Sequence, residues 1–448
     1  MTAFALTEEQ QAFAEEVRVI AASQLRPLAE AGRPGHVNRE LVNAMGQLGL
    51  LPRLFPGQGG LGGRGALPKG GAGGWVPPKG GLGGWVSPKG GPGGWVPPEE
   101  EDEEEDEVEG GVGSPGGRPP GENRVSATDL CLLRESLATQ STEAETALAL
   151  QGLGAYPILQ SGLPATVRRW LPAVACGDAV AAFALTEPEA GSDAAALGLR
   201  AEPDGDGWRL TGEKTWISNA PEADVYTVFA RTTPGAGARG VSAFAVPAGR
   251  PGLGGEHLDM ISPHPIGSLT FDGVRVERAE LLGEPDRGFR VAMRTLDLFR
   301  PSVGAFAVGM AQAAIDAALR HAGSRMAFGG PLKEQQAVAH LLAEMATRTE
   351  AARLLVYAAA AAYDAGSEEG RAGAQAIRGG ITAKSAMAKL FATETAQFVV
   401  DAAVQIHGAR ALRQGHLLEH LYREVRAPRI YEGASEVQRS IIARELYR

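Results

Sequence analysis

Apolar residues recur at near-helical spacing at Phe13, Val17, Ile20 and Leu25, behind Thr7-Glu-Glu-Gln10. That tetrapeptide is a capping-box signature, and the pattern predicts a helix ending before the Gly32–Gly35 turn. A second helix is predicted over Arg39–Leu48, stopped by Gly49. Ser126 reads as an N-cap before Leu130, Leu133 and Leu137, and helices then alternate with turns through Gly152, Gly162-Leu-Pro164 and Gly177. From Asp178 the period shortens. The β-rich runs Ala181–Leu185, Trp208–Leu210, Thr215–Ser218, Val225–Ala230, Val241–Val246 and Ser268–Val276 are separated by Gly, Pro and Asp, and predict a compact antiparallel β unit. From Phe289 the pattern is helical again, over about Phe289–Ala322, Glu334–Asp364 and Ala374–Ile406. Stripes such as Val338, Leu341, Leu342, Met345 and Leu355, Val356 suit helix-on-helix packing.

Residues 57–124 break the pattern. A decapeptide repeats three times, Lys69-Gly-Gly-Ala-Gly-Gly-Trp-Val-Pro-Pro78, Lys79–Pro88 and Lys89–Pro98, and an acidic run, Glu99–Glu109, follows. So little aliphatic content cannot offset the entropy of ordering the chain, so this predicts a disordered or loosely polyproline-like insertion. Trp75, Trp85 and Trp95 at fixed spacing suit contacts with a partner, but a tolerated repeat expansion in a surface loop is the better explanation.

The 448 residues exceed what one core usually serves, and apolar residues make up 44%, so two or three domains are expected. Cys131 and Cys176 are the two cysteines, without a CxxC or a His cluster in the sequence. A disulfide framework or metal site is therefore not expected, and a cytoplasmic home is. No secretory signal pattern or long uninterrupted apolar run occurs, so no membrane association is expected. The net charge of −10 argues against nucleic acid as a partner; residues 57–124 carry −5 of it.

Candidate chemistry begins at Phe183-Ala-Leu-Thr-Glu-Pro-Glu-Ala-Gly-Ser-Asp193. A short buried strand runs into a turn forced by Pro188 and Gly191, leaving Thr186, Ser192 and Asp193 as polar groups suited to a cofactor edge or a phosphate. A second motif follows, Leu210-Thr-Gly-Glu-Lys-Thr-Trp-Ile-Ser-Asn219, then Arg325-Met-Ala-Phe-Gly329, Gln336, Gln405-Ile-His-Gly408 and Ile430-Tyr-Glu-Gly433. In this order the motifs resemble the acyl-CoA dehydrogenase family over almost the whole chain, from Leu6 to the C-terminus, except roughly 57–124.

The resemblance implies an α+β multidomain fold: an N-terminal helical domain (1–56 with 125–177), a middle antiparallel β domain (178–286) and a C-terminal four-helix-bundle-like domain (287–448). It implies an FAD-dependent oxidoreductase of fatty acid metabolism that converts an acyl-CoA to the trans-2-enoyl product. The electron-transfer flavoprotein would be the electron acceptor, and the assembly a homodimer or homotetramer. Glu432 stands where the family keeps the α-proton base; by itself it reads equally as a solvated residue at a helix cap. Leu185, Thr186 and Ser192 are implied along the flavin, and Trp216, Ile217 and Ser218 against its ring, although Trp216 also fits a core aromatic. Arg325, Gln336, Gln405 and Gly408 match residues that reach the FAD of a neighbouring subunit. Ser192, Asp297, Arg300 and Gly433 match substrate contacts. Two departures stand out. Ala409-Arg-Ala411 replaces the family's Gly-x-Gly, and Ala434, beside the flavin, replaces a common Thr. An acyl-CoA oxidase, or a catalytically impaired relative acting through its Trp repeat and acidic run, are the alternative readings.

Overall fold

The computed structural model describes residues 6–56, 125–368 and 380–447; the repeat segment and its expected disorder lie outside them. The chain opens with α1 (Glu8–Ile20), whose Thr7 hydroxyl accepts from Gln10 N–H while the Gln10 side chain returns to Thr7 N–H, as the capping box predicts. The helix continues through a π turn at Ala21–Leu25 into α2 (Arg26–Ala31), and α3 (Arg39–Gln47) follows. After the gap come α4 (Ala127–Ala138), capped by Ser126, α5 (Thr142–Ser161) and α6 (Pro164–Cys176). Gly152 is not a turn but lies inside α5. An added Cβ there would sit 2.9 Å from Phe299 and 3.1 Å from Leu54, so the glycine answers to packing across the helix.

Seven strands form one sheet: β1 (Ala181–Ala184), β2 (Arg200–Asp204), β3 (Gly207–Ser218), β4 (Val225–Arg231), β5 (Val241–Pro247), β6 (Leu253–His257) and β7 (Ile266–Val276). Their order is β1-β4-β2-β3-β7-β6, with β5 paired to β4. The expectation of an all-antiparallel unit is corrected on one point: β1 runs parallel to β4, and β2 touches β4 in parallel. The β2–β3 excursion between them is long enough to bring the chain back in the same direction. Trp208–Leu210 and Thr215–Ser218 belong to one strand, β3, with bulges near Gly212 and Trp216.

Beyond the sheet, α7 (Gly288–Ser324), a small hairpin (β8, Met326–Ala327; β9, Gly330–Pro331), α8 (Gln336–Glu368), α9 (Gly380–His407), α10 (Leu417–Glu424) and α11 (Ser435–Leu446) form the helical bundle. By length and apolarity α7 qualifies to cross a membrane, but 83% of its apolar window is buried inside the fold, so it serves as the central core helix. One core runs through α4, α5, α7, α8 and α9 around Leu133, Phe299, Phe306, Met310, Val356 and Val400; a second lies within the sheet around Leu210, Phe244, Leu269 and Phe271. The two meet along α5. Gln151 accepts from Ala181 N–H and donates to Ala179 O, both at 2.8 Å, and Gly154 O accepts from the Thr227 hydroxyl at 2.7 Å.

Candidate active site

A single buried ion pair welds the two β-domain motifs together. Lys214, fully buried, donates to Leu185 O at 2.9 Å and to Glu187 Oε1 at 2.8 Å, and Glu187 in turn accepts from the N–H groups of Gly198 and Leu199. Thr186 O accepts from Thr215 N–H at 3.0 Å. The polar turn after β1 is thereby fixed beside the bulge that carries Trp216, Ile217 and Ser218. Ile217 is buried, whereas Trp216 stands 54% exposed in the left-handed region at φ 57°. A bulky residue held there costs about 1–3 kcal/mol, and the strain turns the indole out of the core, so Trp216 is not a core aromatic. Ser192 is also exposed.

His264, which the sequence reading missed, bonds the Ser218 hydroxyl through Nε2 at 2.9 Å. Desolvation pushes its imidazole down to about 4, so the ring is neutral near pH 7.

Glu432 lies between the Ala427–Arg429 turn and α11, also left-handed at φ 52°. Its Oε2 is buried and has no hydrogen-bond partner among the described residues. Loss of solvent raises its pKa above the ordinary carboxylate value, opposed by the charges of Arg134, Lys389 and Arg300. Gly433 O accepts from Lys389 Nζ at 2.7 Å and Gln438 Nε2 at 2.9 Å, which fixes the turn. Arg300, buried on α7, reaches Asp297 at 3.4 Å, and its Nε is likewise unpartnered among the described residues. The structure therefore joins Asp297, Arg300, Glu432 and Gly433 in one charged cluster. Ala434 is the N-cap of α11 and makes no side-chain capping bond.

Arg134 on α4 and Glu145 on α5 were also unforeseen. They form a buried ion pair within the electrostatic reach of Glu432, and Arg134 Nη1 also donates to Ser302 Oγ at 2.7 Å. Burial lifts Glu145 to about 7 against the pull of Arg134. Neither a mid-helix Arg nor a first-turn Glu carries by itself a sequence signal for such a pair.

Arg325, Gln336, Gln405 and Gly408 are exposed. Arg325 follows α7, Gln405 and Gly408 lie at the end of α9, and Gln336 opens α8. Helices α7 and α9 meet at these ends, where His321 stacks on His407 with centroids 4.2 Å apart and His416 lies edge-on to His407 at 5.6 Å. Desolvation, with neighbouring His and Arg charges, holds His321 and His407 below the usual imidazole range. Met326, Phe328 and Leu412 in this region are 61%, 92% and 71% exposed, an apolar surface suited to covering by another molecule.

Family models for the N-terminal, middle and C-terminal domains of acyl-CoA dehydrogenase match residues 7–68, 182–274 and 286–447. The chain belongs to the acyl-CoA dehydrogenase family. Enzymes of this family act on the CH–CH group of acyl-CoA. The chain is 41% identical over 293 residues to the mitochondrial short-chain specific acyl-CoA dehydrogenase of Bos taurus, covering 65% of this chain and 68% of that protein. It is 36% identical over 330 residues to cyclohexane-1-carbonyl-CoA dehydrogenase of Geobacter metallireducens, covering 73% and 83%. Its fold superimposes on butyryl-CoA dehydrogenase from Megasphaera elsdenii with a TM-score of 0.79 and 28% identity over the full length of both chains.

Proposed function

We propose that this acyl-CoA dehydrogenase removes the α-proton of an acyl-CoA thioester with Glu432, the β-hydrogen leaving as hydride for which bound FAD would be the acceptor, to give the trans-2-enoyl-CoA. The observation that carries the reading is the buried, unpartnered Oε2 of Glu432. A carboxylate stripped of water is a stronger base than one in solvent, and its free oxygen is available to accept a proton. The charges of Arg134, Lys389 and Arg300 oppose that rise and favour the ionised form. Asp297, Arg300, Ser192 and Gly433 are assigned to substrate.

The residues fit FAD. An exposed indole at Trp216, the hydroxyls of Thr186 and Ser218 and the firmly held turn around Leu185 suit a flat ring with a polar edge. When bound, FAD supplies the hydride acceptor. His264 holds the Ser218 hydroxyl, Ile217 packs into the sheet core between Trp216 and Ser218, and the backbone at Ala434 lies close to Glu432. Arg325, Gln336, Gln405 and Gly408 are assigned to the FAD of a neighbouring subunit, which makes the enzyme a homodimer or homotetramer; Arg is suited to pyrophosphate oxygens. Electrons then pass to an electron-transfer flavoprotein, in fatty acid metabolism in the cytoplasm. The domain limits assigned are 1–56 with 125–177, 178–286 and 287–448.

The test is the absorption spectrum of purified protein. A bound flavin that short-chain acyl-CoAs bleach without oxygen supports the reading; absence of flavin, or flavin that no acyl-CoA bleaches, overturns it. A monomer that retains FAD would refute the shared site.

A further inference from the structure

Two histidines and a glutamate from three separate segments converge outside the site described above. His36 lies in the loop between α2 and α3, Glu222 in the turn between β3 and β4, and His257 ends β6. His36 Nδ1 is 2.9 Å from Glu222 Oε1, His257 Nε2 is 3.5 Å from the same oxygen, and all three atoms lie within 4.8 Å of one another. A tetrahedral zinc with bonds of about 2.0–2.1 Å places its ligand atoms about 3.3 Å apart. The two separations to Glu222 Oε1 bracket that value, and the His36–His257 pair, within 4.8 Å, closes by rotation of the partly exposed imidazoles.

The carboxylate is oriented before any ion arrives. Its Oε2 accepts from Val37 N–H at 2.7 Å, and Arg39, anchored on Asp224, donates to Glu222 O at 2.7 Å. Held outer contacts of this kind are what ligating carboxylates need. A plain His36–Glu222 hydrogen bond accounts for one imidazole; it gives no reason for the second, with ring centroids 4.2 Å apart, to aim at the same oxygen. The side chains of His36, Glu222 and His257 are 19%, 28% and 34% exposed, which leaves a solvent-facing fourth position.

The geometry points to a divalent transition-metal site, zinc by its two-nitrogen, one-oxygen donor set, with three protein ligands and one water. It ties the α2–α3 loop to the sheet through His36, the one member of the set that also lines the cleft with Val37 and Asn219. The site is independent of the flavin reading.

The experiment is calorimetric titration of the chelator-treated full-length protein with Zn²⁺, repeated with Co²⁺ to read tetrahedral visible absorption. Wild type is compared with His257→Ala, His36→Ala and, as a control on the other histidine group, His321→Ala. One Zn²⁺ per chain, weakened at least ~10-fold by either ligand substitution and unchanged by His321→Ala, is the expected result. Zinc should also raise the thermal midpoint of wild type but not of His257→Ala. No stoichiometric binding, or binding that survives both ligand substitutions, overturns the proposal. Circular dichroism of the variants confirms that they fold, since each changes a partly exposed side chain.

Discussion

The ammonium of Lys389 donates to the carbonyl oxygen of Gly433 at 2.7 Å from a side chain with no solvent exposure. Gly433 follows Glu432, so α9 holds the turn that presents the carboxylate and supplies a charge beside it. Burial pushes Lys389 down to about 8 against the opposing charge of Glu432. Lys389→Met keeps the volume and removes the cation. Glu432 should then hold its proton to higher pH, and the rising limb of kcat/KM against pH should move upward. Each unit of displacement costs about tenfold in rate below the limb. An unmoved limb would mean that Lys389 only supports the turn.

Glu432→Gln tests the base itself. The amide fills the same space but accepts no proton, so turnover should fall ~100-fold or more while flavin and acyl-CoA binding persist. Near-normal turnover would remove Glu432 from the mechanism.

Two glycines on α5 predict a ranking of stability. A Cβ at Gly154 would lie 2.6 Å from the backbone of Ala181 and Ala182, atoms that cannot move without shifting β1. At Gly152 the nearest atoms, 2.9 and 3.1 Å away, are the ends of the Phe299 and Leu54 side chains. Gly154→Ala should therefore cost about 1–3 kcal/mol and Gly152→Ala less. Denaturant unfolding of the two variants reads the order directly, and a reversed order would contradict the packing described.

Gly152 also shows what the sequence does not carry. A glycine between helical runs reads as a break, yet here it marks a close approach by a residue 147 positions away. Helix starts were legible because their caps are local: Thr7 and Ser126 bond within three residues. The direction of β1 was not legible, since alternation looks the same for parallel and antiparallel neighbours. Strands β2 and β6, rich in Gly, Pro and charge, exist through pairing with β3 and β7 rather than through propensity. At the candidate site, the motifs pointed to Glu432 and Trp216, but Arg134–Glu145, His264 and the His321–His407 stack depend on long-range pairing that no spacing encodes.

Glu424 predicts a pH dependence of stability. Burial lifts it to about 8 from 4.5; it faces Glu143, Glu145, Arg423 and the Ser262 hydroxyl. Between pH 4.5 and 8 the unfolded chain releases this proton while the folded protein keeps it. Its contribution is thus complete below 4.5 and lost as pH rises through about 8. Glu424→Gln stays neutral throughout. Wild type should lose more in thermal midpoint from pH 5 to 8.5 than the variant, by ~2 °C or more. Glu145, raised to about 7, acts with the same sign and leaves a residual slope in both. Parallel curves would show that Glu424 ionises normally in the folded state.

The chain on either side of residues 57–124 is fixed by its own contacts. Upstream, Leu54 and Phe55 are buried in the helical core; downstream, Val125 is buried and Ser126 opens α4. Asp364, near the far end of α8, accepts from Ala127 N–H at 2.7 Å and from the Ser126 hydroxyl and Thr128 N–H at 3.0 Å. A distant carboxylate thus completes the cap of α4, three donors at once. The composition of 57–124 supplies no core to lose, and closing a shorter loop is entropically slightly easier. Replacing it with a few Gly and Ser residues should leave flavin content and dye-linked turnover unchanged and shift stability by no more than ~1 kcal/mol. Asp364→Ala should cost more, about 1–3 kcal/mol, because it strands those donors. The deletion also leaves a net charge of −5, so an effect confined to assays with a protein electron acceptor would place the acidic run in partner choice. Loss of flavin or of dye-linked turnover on deletion would instead make the segment part of the folded enzyme.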